Sequence, residues 1–403
     1  MVTAQQASAE TPTEQETPGR LKKWYRVAAY GVFNTLLLLV LLNVALYVAS
    51  LIKRPQQPPW KAPPGDMLLK AYPGWQAEEV KKLLEETWGR GSVWLEYEPF
   101  TGFRERPFQG KYVNIDPAGF RLSKNQAPWP PRSDAMNVFV FGGSTTYGYG
   151  LPDDETIPSY LGECAAAGDS PARAAVYNFA REGYFSSQER ILFEQLLAAK
   201  LVPQVAVFID GLNEFSHPDG QPAFTDTLRR FMAGEIHANP LDNLPMIKAA
   251  HRLSARWKKS PPREVEDNAD VAALDEIIAR WMANKKMIEA VGAAFGVRTV
   301  FVWQPVPTYK YDLRYYFPTF AGGYGGKWPR DHYGYPLMEN LRAQGKLGPD
   351  VLWLADLQQD KHENLYVDPV HYTAAFSKEI AGQICSAVAK SLTKAPPLKG
   401  KEN

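Results

Sequence analysis

The chain has 403 residues, of which 45% are hydrophobic, 12% aromatic and 22% charged, and this composition excludes a mostly disordered or fibrous protein. Its 45 Lys and Arg residues balance 44 Asp and Glu residues, so the chain as a whole has no electrostatic attraction for nucleic acid or other polyanions. Two cysteines exclude a disulfide scaffold, and no closely spaced Cys and His residues indicate a metal site. We therefore predict no nucleic-acid partner, no metal and no cofactor.

The amino-terminal leader, residues 1–26, is rich in polar residues and Pro, ends in a basic cluster and is predicted to be disordered. Residues 27–52 then contain no charged side chain, and about 20 apolar residues suffice to cross the hydrocarbon core of a membrane. Basic residues lie on both sides of this stretch, which argues against a buried core helix. We therefore predict one transmembrane helix, with the lipid bilayer as the partner of residues 27–52.

A cleaved signal peptide is the alternative to this anchor. Val48-Ala49-Ser50 is a tolerable cleavage site, but the apolar stretch is longer than the roughly 7–15 apolar residues of a signal peptide. The amino side of the stretch carries slightly more Lys and Arg than the carboxyl side. This bias predicts a cytoplasmic amino terminus, with the rest of the chain on the periplasmic or extracellular side.

The rest of the chain is predicted to contain a spacer, a main domain and a tail. Five prolines fall within the spacer, residues 53–66, and make it stiff. Residues 67–134 form a lead-in segment that we expect to pack on the main domain, residues 135–395. The last residues, 396–403, are predicted to be a flexible tail.

Short apolar runs alternate with helical patterns in the main domain, which is typical of a parallel sheet with helices on both faces. The predicted strands are Asn137–Phe141, Ala175–Ala180, Val205–Asp210, Arg298–Gln304 and Val351–Leu357. The clearest predicted helices are Ser186–Lys200 and Thr373–Leu392, which each place apolar residues on one face. We therefore predict an α/β fold of three layers, α/β/α, around a central parallel sheet. Two irregular stretches, residues 216–268 and 306–348, are predicted to be cap insertions.

Polar residues follow three of these strands and precede the last helix, at the edge where open parallel sheets bind ligands. Ser144 follows the first strand in a Gly-Gly-Ser-Thr turn, where a serine hydroxyl is exposed and free backbone N–H groups can face an oxyanion. Taken alone, this turn is equally typical of ordinary helix capping. Gly183 and Asn213 follow the next two strands, and each is an ordinary turn residue by itself. Together they can supply a backbone N–H and a side-chain amide to the same oxyanion.

Asp368 and His371 precede the last helix and are three residues apart. A turn can bring the carboxylate to one ring nitrogen, while the other nitrogen points towards Ser144. A lone Asp-x-x-His sequence is more often a helix cap with an exposed histidine. Its position after the last strand, at the same edge as Ser144, favours the catalytic interpretation.

The four blocks GGST, Gly183, GLNE and DPVH resemble, in this order, those of the SGNH (GDSL-type) hydrolases over about residues 135–392. Residues 97–102 and 114–121 also resemble the lead-in of membrane-anchored bacterial members with a GGST block. The resemblance implies a flavodoxin-like SGNH hydrolase fold that follows the transmembrane helix. The sequence departs from the family pattern at Gly143 and Glu214, where GDS and G-x-N-D members have Asp. The functional Ser and Asn of these two blocks remain.

The resemblance also implies roles for the residues at the sheet edge. Ser144 would be the nucleophile, His371 the general base and Asp368 the group that orients the base. The oxyanion hole would consist of the Ser144 and Gly183 N–H groups and the Asn213 side chain.

These roles imply a serine esterase that cleaves small ester-linked acyl groups, with acetyl the expected group, through an acyl-serine intermediate. The partner would be an ester-bearing substrate, for which an acylated glycan is one candidate. An O-acetyltransferase that acts on an extracellular or cell-envelope polysaccharide is the alternative, because the same residues can pass the acyl group to a sugar hydroxyl. A non-catalytic, membrane-tethered interaction module is a second alternative, against which the complete triad argues.

The two cysteines are expected on neighbouring helices of such a fold, Cys164 after the nucleophile and Cys385 on the last helix. We predict that they pair if the domain is exported, with two small buried hydrophobic residues as the alternative. The histidines other than His371 show no ligand spacing and are expected at the solvated surface. The aromatic stretch 309–335 is predicted to be either a sugar-stacking platform or lid, or a packed insertion.

Overall fold

The computed structural model describes residues 18–51, 68–89, 94–167, 174–234, 244–257, 271–316 and 329–393. The chain forms two compact units, one of residues 1–54 and 236–263 and the other of residues 55–235 and 264–403. The predicted spacer and tail, and the first part of the leader, lie outside the described residues.

The helices and strands are numbered here in chain order. The helices are α1 (Pro18–Leu51), α2 (Ala77–Trp88), α3 (Ser144–Tyr147), α4 (Ile157–Ala167), α5 (Ser186–Ala198), α6 (Leu212–Ser216), α7 (Thr225–Met232), α8 (Pro245–Trp257), α9 (Val271–Phe295), α10 (Pro329–Ala343) and α11 (Ala374–Thr393). The strands are β1 (Leu95–Glu98), β2 (Gly102–Glu105), β3 (Phe108–Gln109), β4 (Asn114–Ile115), β5 (Met136–Gly142), β6 (Ala174–Asn178), β7 (Val205–Asp210), β8 (Arg298–Trp303) and β9 (Val351–Trp353).

The first unit contains α1, the helix predicted to cross a membrane. Its stretch Gly19–Ala49 is long and apolar enough to do so. The most apolar 18 residues of this stretch have a mean hydropathy of 2.3, and none of them is buried in the protein. The helix begins at Pro18, so residues 18–26, which composition assigns to a disordered leader, are helical. Proline suits the first helical position, and the residues that follow extend the apolar helix without a break.

The second unit is built on a five-stranded parallel sheet with the order β6-β5-β7-β8-β9. Alternate side chains of β5 enter two separate hydrophobic clusters, as the period of a strand requires. Val138 and Val140 pack with α4 and α11, whereas Phe139 and Phe141 pack with α5. The prediction of a three-layer α/β/α fold with a central parallel sheet is therefore confirmed.

All five predicted strands are present, but the last is shorter than its apolar run indicates. Strand β9 ends at Trp353, and the 3₁₀ helix Ala355–Gln358 follows directly. This strand lies at the edge of the sheet and has β8 as its single neighbour, so fewer ladder hydrogen bonds hold the chain extended. An apolar run alone does not distinguish a strand from the buried turn that follows it.

The lead-in segment adds a helix and two small antiparallel sheets to the second unit. Helix α2 buries Val80, Leu83 and Leu84, while β1 pairs with β2 and β3 pairs with β4. The Arg121 N–H donates to the Asn178 carbonyl at the end of β6, with an N···O distance of 3.0 Å. This segment therefore reaches the sheet edge at which the predicted catalytic residues lie.

The described part of the aromatic stretch 309–335 is packed into the protein. Tyr309, Tyr311, Tyr316 and Tyr335 all belong to the main hydrophobic cluster. The interpretation as a packed insertion is therefore confirmed for these four residues. A sugar-stacking role would need exposed ring faces, which these four side chains do not offer.

Candidate active site

Ser144 begins the short helix α3 directly after β5, in the strand-to-helix turn that the sequence predicts. Its neighbour Gly143 has no room for a side chain, because an added Cβ would collide with the amide nitrogen of Asn213 and lie 3.1 Å from the Tyr184 carbonyl oxygen. The absence of a side chain at Gly143 thus allows the Asn213 carboxamide to lie against the turn that contains Ser144. Ser144 itself is 9% exposed.

Arg121 of the lead-in segment holds the loop that follows Ser144. Its fully buried guanidinium donates to the carbonyl oxygens of Tyr147 at 3.1 Å, Gly148 at 2.8 Å and Leu151 at 2.6 Å. It also pairs with Asp153 at 2.8 Å. The planar fork of an arginine satisfies several acceptors at once, so one side chain fixes four points of this loop. Arg121 lies in the segment 114–121, and its position along the chain does not by itself reveal this role.

The predicted base and its orienting carboxylate are in contact. The His371 Nδ1 atom lies 2.5 Å from Oδ2 of Asp368. The other carboxylate oxygen, Oδ1, accepts the backbone N–H groups of Val370 and His371, each at 2.8 Å. Three hydrogen bonds therefore fix the carboxylate, and the carboxylate fixes the imidazole.

The second imidazole nitrogen of His371 is not engaged by the surrounding residues that the structure describes. The His371 Nε2 atom is buried, and no hydrogen-bond partner for it occurs among the described residues. The imidazole lies near the rings of Tyr149, at 5.4 Å between centroids, and Trp88, at 6.4 Å. The Tyr149 N–H donates to the Ser144 carbonyl at 3.2 Å, so the loop that starts at Ser144 returns to His371. The turn that contains Ser144 and the imidazole of His371 therefore share one edge of the sheet.

The predicted oxyanion donors lie beside the same turn. Asn213 donates one amide hydrogen to the Tyr184 carbonyl oxygen at 2.8 Å, which leaves its second hydrogen for another acceptor. Gly183 has a φ of +65° and open space where a Cβ would be, so a larger residue would be strained there and would fill that space. No acceptor for the N–H groups of Ser144 and Gly183 occurs among the described residues. These groups match the donors that an oxyanion hole requires.

Glu214 accepts hydrogen bonds from Ser186, the first residue of α5, and thereby fixes the loop around Asn213. Its Oε1 accepts the Ser186 N–H at 2.6 Å, and its Oε2 accepts the Ser186 hydroxyl at 3.1 Å. Asn284 of α9 donates to the same hydroxyl at 3.0 Å. Asn213 thus binds Tyr184, and Glu214 binds Ser186. Two consecutive residues after β7 therefore hold the loop that follows Gly183.

Three buried carboxyl groups lie under this loop. Glu189, Asp210 and Glu214 are all buried, and the Trp281 ring N–H donates to Asp210 at 2.9 Å. Burial raises the pKa of Glu214 to about 8, and the charge of Asp210 adds to this effect. Burial and the same neighbour also raise the pKa of Glu189 well above its usual range. Glu214 therefore holds its proton at neutral pH, which fits a structural role better than that of a substrate base.

His217 corrects the expectation that the remaining histidines are solvated. The side chain is half-buried, stacks on Phe185 at 4.6 Å and lies between two carbonyl oxygens, with Nε2 3.1 Å from that of Gly183 and Nδ1 3.0 Å from that of Gln221. A neutral imidazole has one N–H and donates it to one of these two oxygens. Burial lowers the pKa of His217. The expectation was wrong because spacing along the chain does not show that a cap residue folds back on the Gly183 loop. His251, His332 and His362 are exposed as expected, whereas His237 lies outside the described residues.

The hairpin of β1 and β2 braces the other side of the Gly183 loop. Arg181 is buried and pairs with Glu98, while its guanidinium donates to the Tyr184 hydroxyl at 3.0 Å. The Tyr184 hydroxyl in turn donates to the Phe103 carbonyl at 2.5 Å. The Glu182 N–H donates to Glu105 at 2.7 Å. The lead-in segment therefore supports both the nucleophile loop and the oxyanion loop.

Helices α4 and α11 pack against each other, and a disulfide bond joins Cys164 to Cys385 with a Cα–Cα distance of 6.5 Å. Whether this bond forms in the cell stays a prediction that depends on export.

Within the described ranges, no group of three or more His, Cys, Asp and Glu side chains is arranged to hold a metal ion.

The structure is similar to solved proteins over about two thirds of its length. One is a psychrotrophic esterase from Pseudoalteromonas sp., with 13% identity, coverage of 64% of this chain and 100% of that chain, and a TM-score of 0.34. Another is an acetylxylan esterase from Geobacillus stearothermophilus in a catalytic-mutant form, with 13% identity, coverage of 63% and 94%, and a TM-score of 0.33. A third is a member of the lipolytic protein G-D-S-L family from Veillonella parvula DSM 2008, with 9% identity, coverage of 65% and 100%, and a TM-score of 0.32.

No family model matches the chain, and no curated protein sequence matches it. At such low identities and TM-scores, the function of this chain has to be inferred from its own residues.

Proposed function

We propose that this protein is a membrane-anchored serine esterase of the SGNH type that cleaves small ester-linked acyl groups. The observation that carries the proposal is the pairing of His371 Nδ1 with Asp368 at 2.5 Å, which leaves Nε2 buried and without a partner among the described residues. An oriented imidazole at the edge that also bears Ser144 is the arrangement that activates a serine hydroxyl.

The proposed reaction proceeds through an acyl-serine. His371 Nε2 takes the Ser144 hydroxyl proton as the Oγ atom attacks the ester carbonyl, and the carbonyl oxygen becomes an oxyanion. The N–H groups of Ser144 and Gly183 and the Asn213 amide then stabilise this negative charge. The imidazolium returns the proton to the leaving alcohol as the ester C–O bond breaks. Water then attacks the acyl-serine in the same way and regenerates the free serine.

A small acyl group is supported by the aromatic residues around the base. Trp88 and Tyr149 lie within 6.4 Å of the His371 ring, and both carry bulky rings that restrict the space beside the imidazole. Among p-nitrophenyl esters we expect acetate to be hydrolysed with the highest kcat/KM, with a decline towards butyrate and octanoate. A preference for octanoate would contradict a small acyl group without affecting the assignment of the triad.

The decisive test is covalent labelling with a fluorophosphonate probe followed by intact-mass analysis. We expect one adduct on the full-length protein in detergent and none on Ser144→Ala. A matched control is Ser254→Ala, an exposed serine of the first unit, which should label like the unchanged protein. Labelling of Ser144→Ala at the unchanged rate would show that another residue is the nucleophile.

An O-acetyltransferase is the second candidate, because the same acyl-serine can react with a sugar hydroxyl. Ser144 and His371 are each only 9% exposed, and limited access of water favours transfer to a bound acceptor. Product analysis with an acetyl donor, in the presence and absence of a polysaccharide acceptor, distinguishes the two reactions. Acetylated polysaccharide identifies transfer, whereas acetate released at the same rate with and without acceptor identifies hydrolysis.

We further propose that α1 stays attached as a membrane anchor, with its amino terminus in the cytoplasm. The unburied apolar surface of Gly19–Ala49 supports this proposal. Intact mass of protein extracted from membranes should include every residue before Ala49, whereas a cleaved signal peptide would remove them. A membrane-impermeant thiol reagent applied to sealed spheroplasts should label Asp360→Cys but not Ser8→Cys, and the reverse pattern would overturn the orientation.

A further inference from the structure

Helix α8 lies in the same compact unit as α1, although about 200 residues separate them in the sequence. The N–H of Met246, in the first turn of α8, donates to Oδ1 of Asn43 at 3.1 Å. The Asn43 amide also donates to the Leu39 carbonyl of its own helix at 2.9 Å. The first N–H groups of a helix have no partner within that helix, so Asn43 caps α8 from within the apolar helix.

This contact fixes the level of α8 along α1. Asn43 is six residues from Ala49, the last residue of the candidate membrane span Gly19–Ala49, which corresponds to about 9 Å along a helix. Interfacial helices bury their apolar face about 5–10 Å into the boundary between headgroups and acyl chains. The start of α8 therefore lies at the depth at which such helices bind a membrane.

The sequence of α8 has the pattern of an interfacial helix. Met246, Ala250 and Leu253 recur at the spacing of one helix face, and the Leu253 side chain is 61% exposed. Lys248 and His251 lie at other positions around the helix and are also exposed.

The charge of α8 matches an anionic lipid surface. Its sequence, PMIKAAHRLSARW, contains Lys248, Arg252 and Arg256 at every fourth position and no acidic residue. Basic residues beside an interfacial helix are attracted to anionic headgroups.

We infer that α8 is a second membrane contact, which lies in the bilayer interface beside α1 with Leu253 towards the acyl chains. This inference rests on the proposed membrane anchor. The bilayer is the occupant that these observations favour, because the same unit already exposes the apolar surface of α1 and α8 begins at its level. The segment predicted as a cap insertion, residues 216–268, thus contains a helix that binds lipid.

Depth-dependent fluorescence quenching tests this inference on the full chain. Leu253→Cys is labelled with an environment-sensitive nitrobenzoxadiazole probe and reconstituted into vesicles of phosphatidylcholine and phosphatidylglycerol that contain nitroxide lipids. His251→Cys on the same helix is the matched control, and Leu41→Cys within α1 reports on the anchor. The chain without an introduced cysteine measures labelling of the native cysteines.

We expect the probe at Leu253→Cys to be quenched about threefold more strongly than the probe at His251→Cys, by nitroxides at shallow depth. Quenching at Leu41→Cys with a fully hydrated probe at Leu253→Cys would overturn the inference and leave the anchor intact. No quenching at either position would overturn both the anchor and the inference. A blue-shifted but unquenched probe at Leu253→Cys, with a cross-linked dimer, would replace the bilayer with a second copy of the chain.

Discussion

The two corners of the candidate active site are built in different ways. The base corner consists of Asp368 and His371 and comes from one turn. Asp368 binds His371, and the backbone of the same turn binds Asp368. The oxyanion corner consists of the predicted donors Ser144, Gly183 and Asn213, which follow separate strands. Residues distant in the sequence, such as Glu98 and His217, hold it together. A local corner depends on a few hydrogen bonds, whereas a composite corner depends on the packing of the whole sheet edge. One substitution in the base corner should therefore cause a large loss of activity. In the oxyanion corner, smaller losses should be spread over several residues.

The largest effect is expected at the base corner. Asp368→Asn should lower kcat by about 10⁴-fold with little change in fold, because an amide favours the wrong imidazole tautomer. Asp360→Asn, at an exposed position, is the matched control. The measurement is kcat and KM for p-nitrophenyl acetate, with circular dichroism as the check on folding. Activity within tenfold of the unchanged protein would mean that Asp368 does not orient the base.

The second effect tests whether the composite corner supplies an oxyanion donor. Asn213→Ala should lower kcat by about 10²-fold to 10³-fold and leave KM nearly unchanged, since the lost hydrogen bond forms mainly in the transition state. Asn340→Ala on the exposed face of α10 serves as the control. An increase in KM alone would identify Asn213 as a residue for substrate binding instead.

A smaller effect is expected from the support of the composite corner. His217→Ala removes a hydrogen-bonding partner of the Gly183 carbonyl and should lower kcat by about 10-fold to 100-fold through misplacement of that loop. His332→Ala, an exposed histidine, should have no effect. If His217 acts through the oxyanion loop, its effect and that of Asn213→Ala should not be additive in the double variant. Full additivity would assign His217 a merely structural role.

The smallest effect concerns the buried carboxyl groups below this corner. Their pKa values are raised in the folded state, so folding keeps protons that the unfolded chain releases above its ordinary carboxyl pKa. Stability should therefore fall as the pH rises from about 4.5 towards about 8. Glu189→Gln should reduce this fall and stabilise the protein by about 1–2 kcal/mol at pH 8, with little change at pH 5. Thermal melts at the two pH values measure the difference, and equal shifts at both would contradict it.

The difference between the two corners also explains what the sequence could predict. The strands were recognisable because Val138 to Phe141 and their equivalents are buried on both faces, and Asp368 with His371 was recognisable because the pair is local. The supporting residues were not, since Arg121 lies 26 residues from Tyr147 and His217 lies 34 residues from Gly183. Contacts of this kind leave no periodicity or motif in the sequence. The only available signal was the similarity of the phrase around Arg121 to the lead-in of anchored SGNH members.

The disulfide between Cys164 and Cys385 has a consequence for the order of biosynthesis. It joins the helix that follows the nucleophile to the helix that follows the base, across 221 residues of chain. During synthesis Cys164 emerges long before its partner, so this cross-link cannot form until nearly the whole sheet has been made. An exported chain would thus be cross-linked only after both Ser144 and His371 are present. In such a chain, closure of the disulfide would follow the arrival of the last helix in an oxidising compartment.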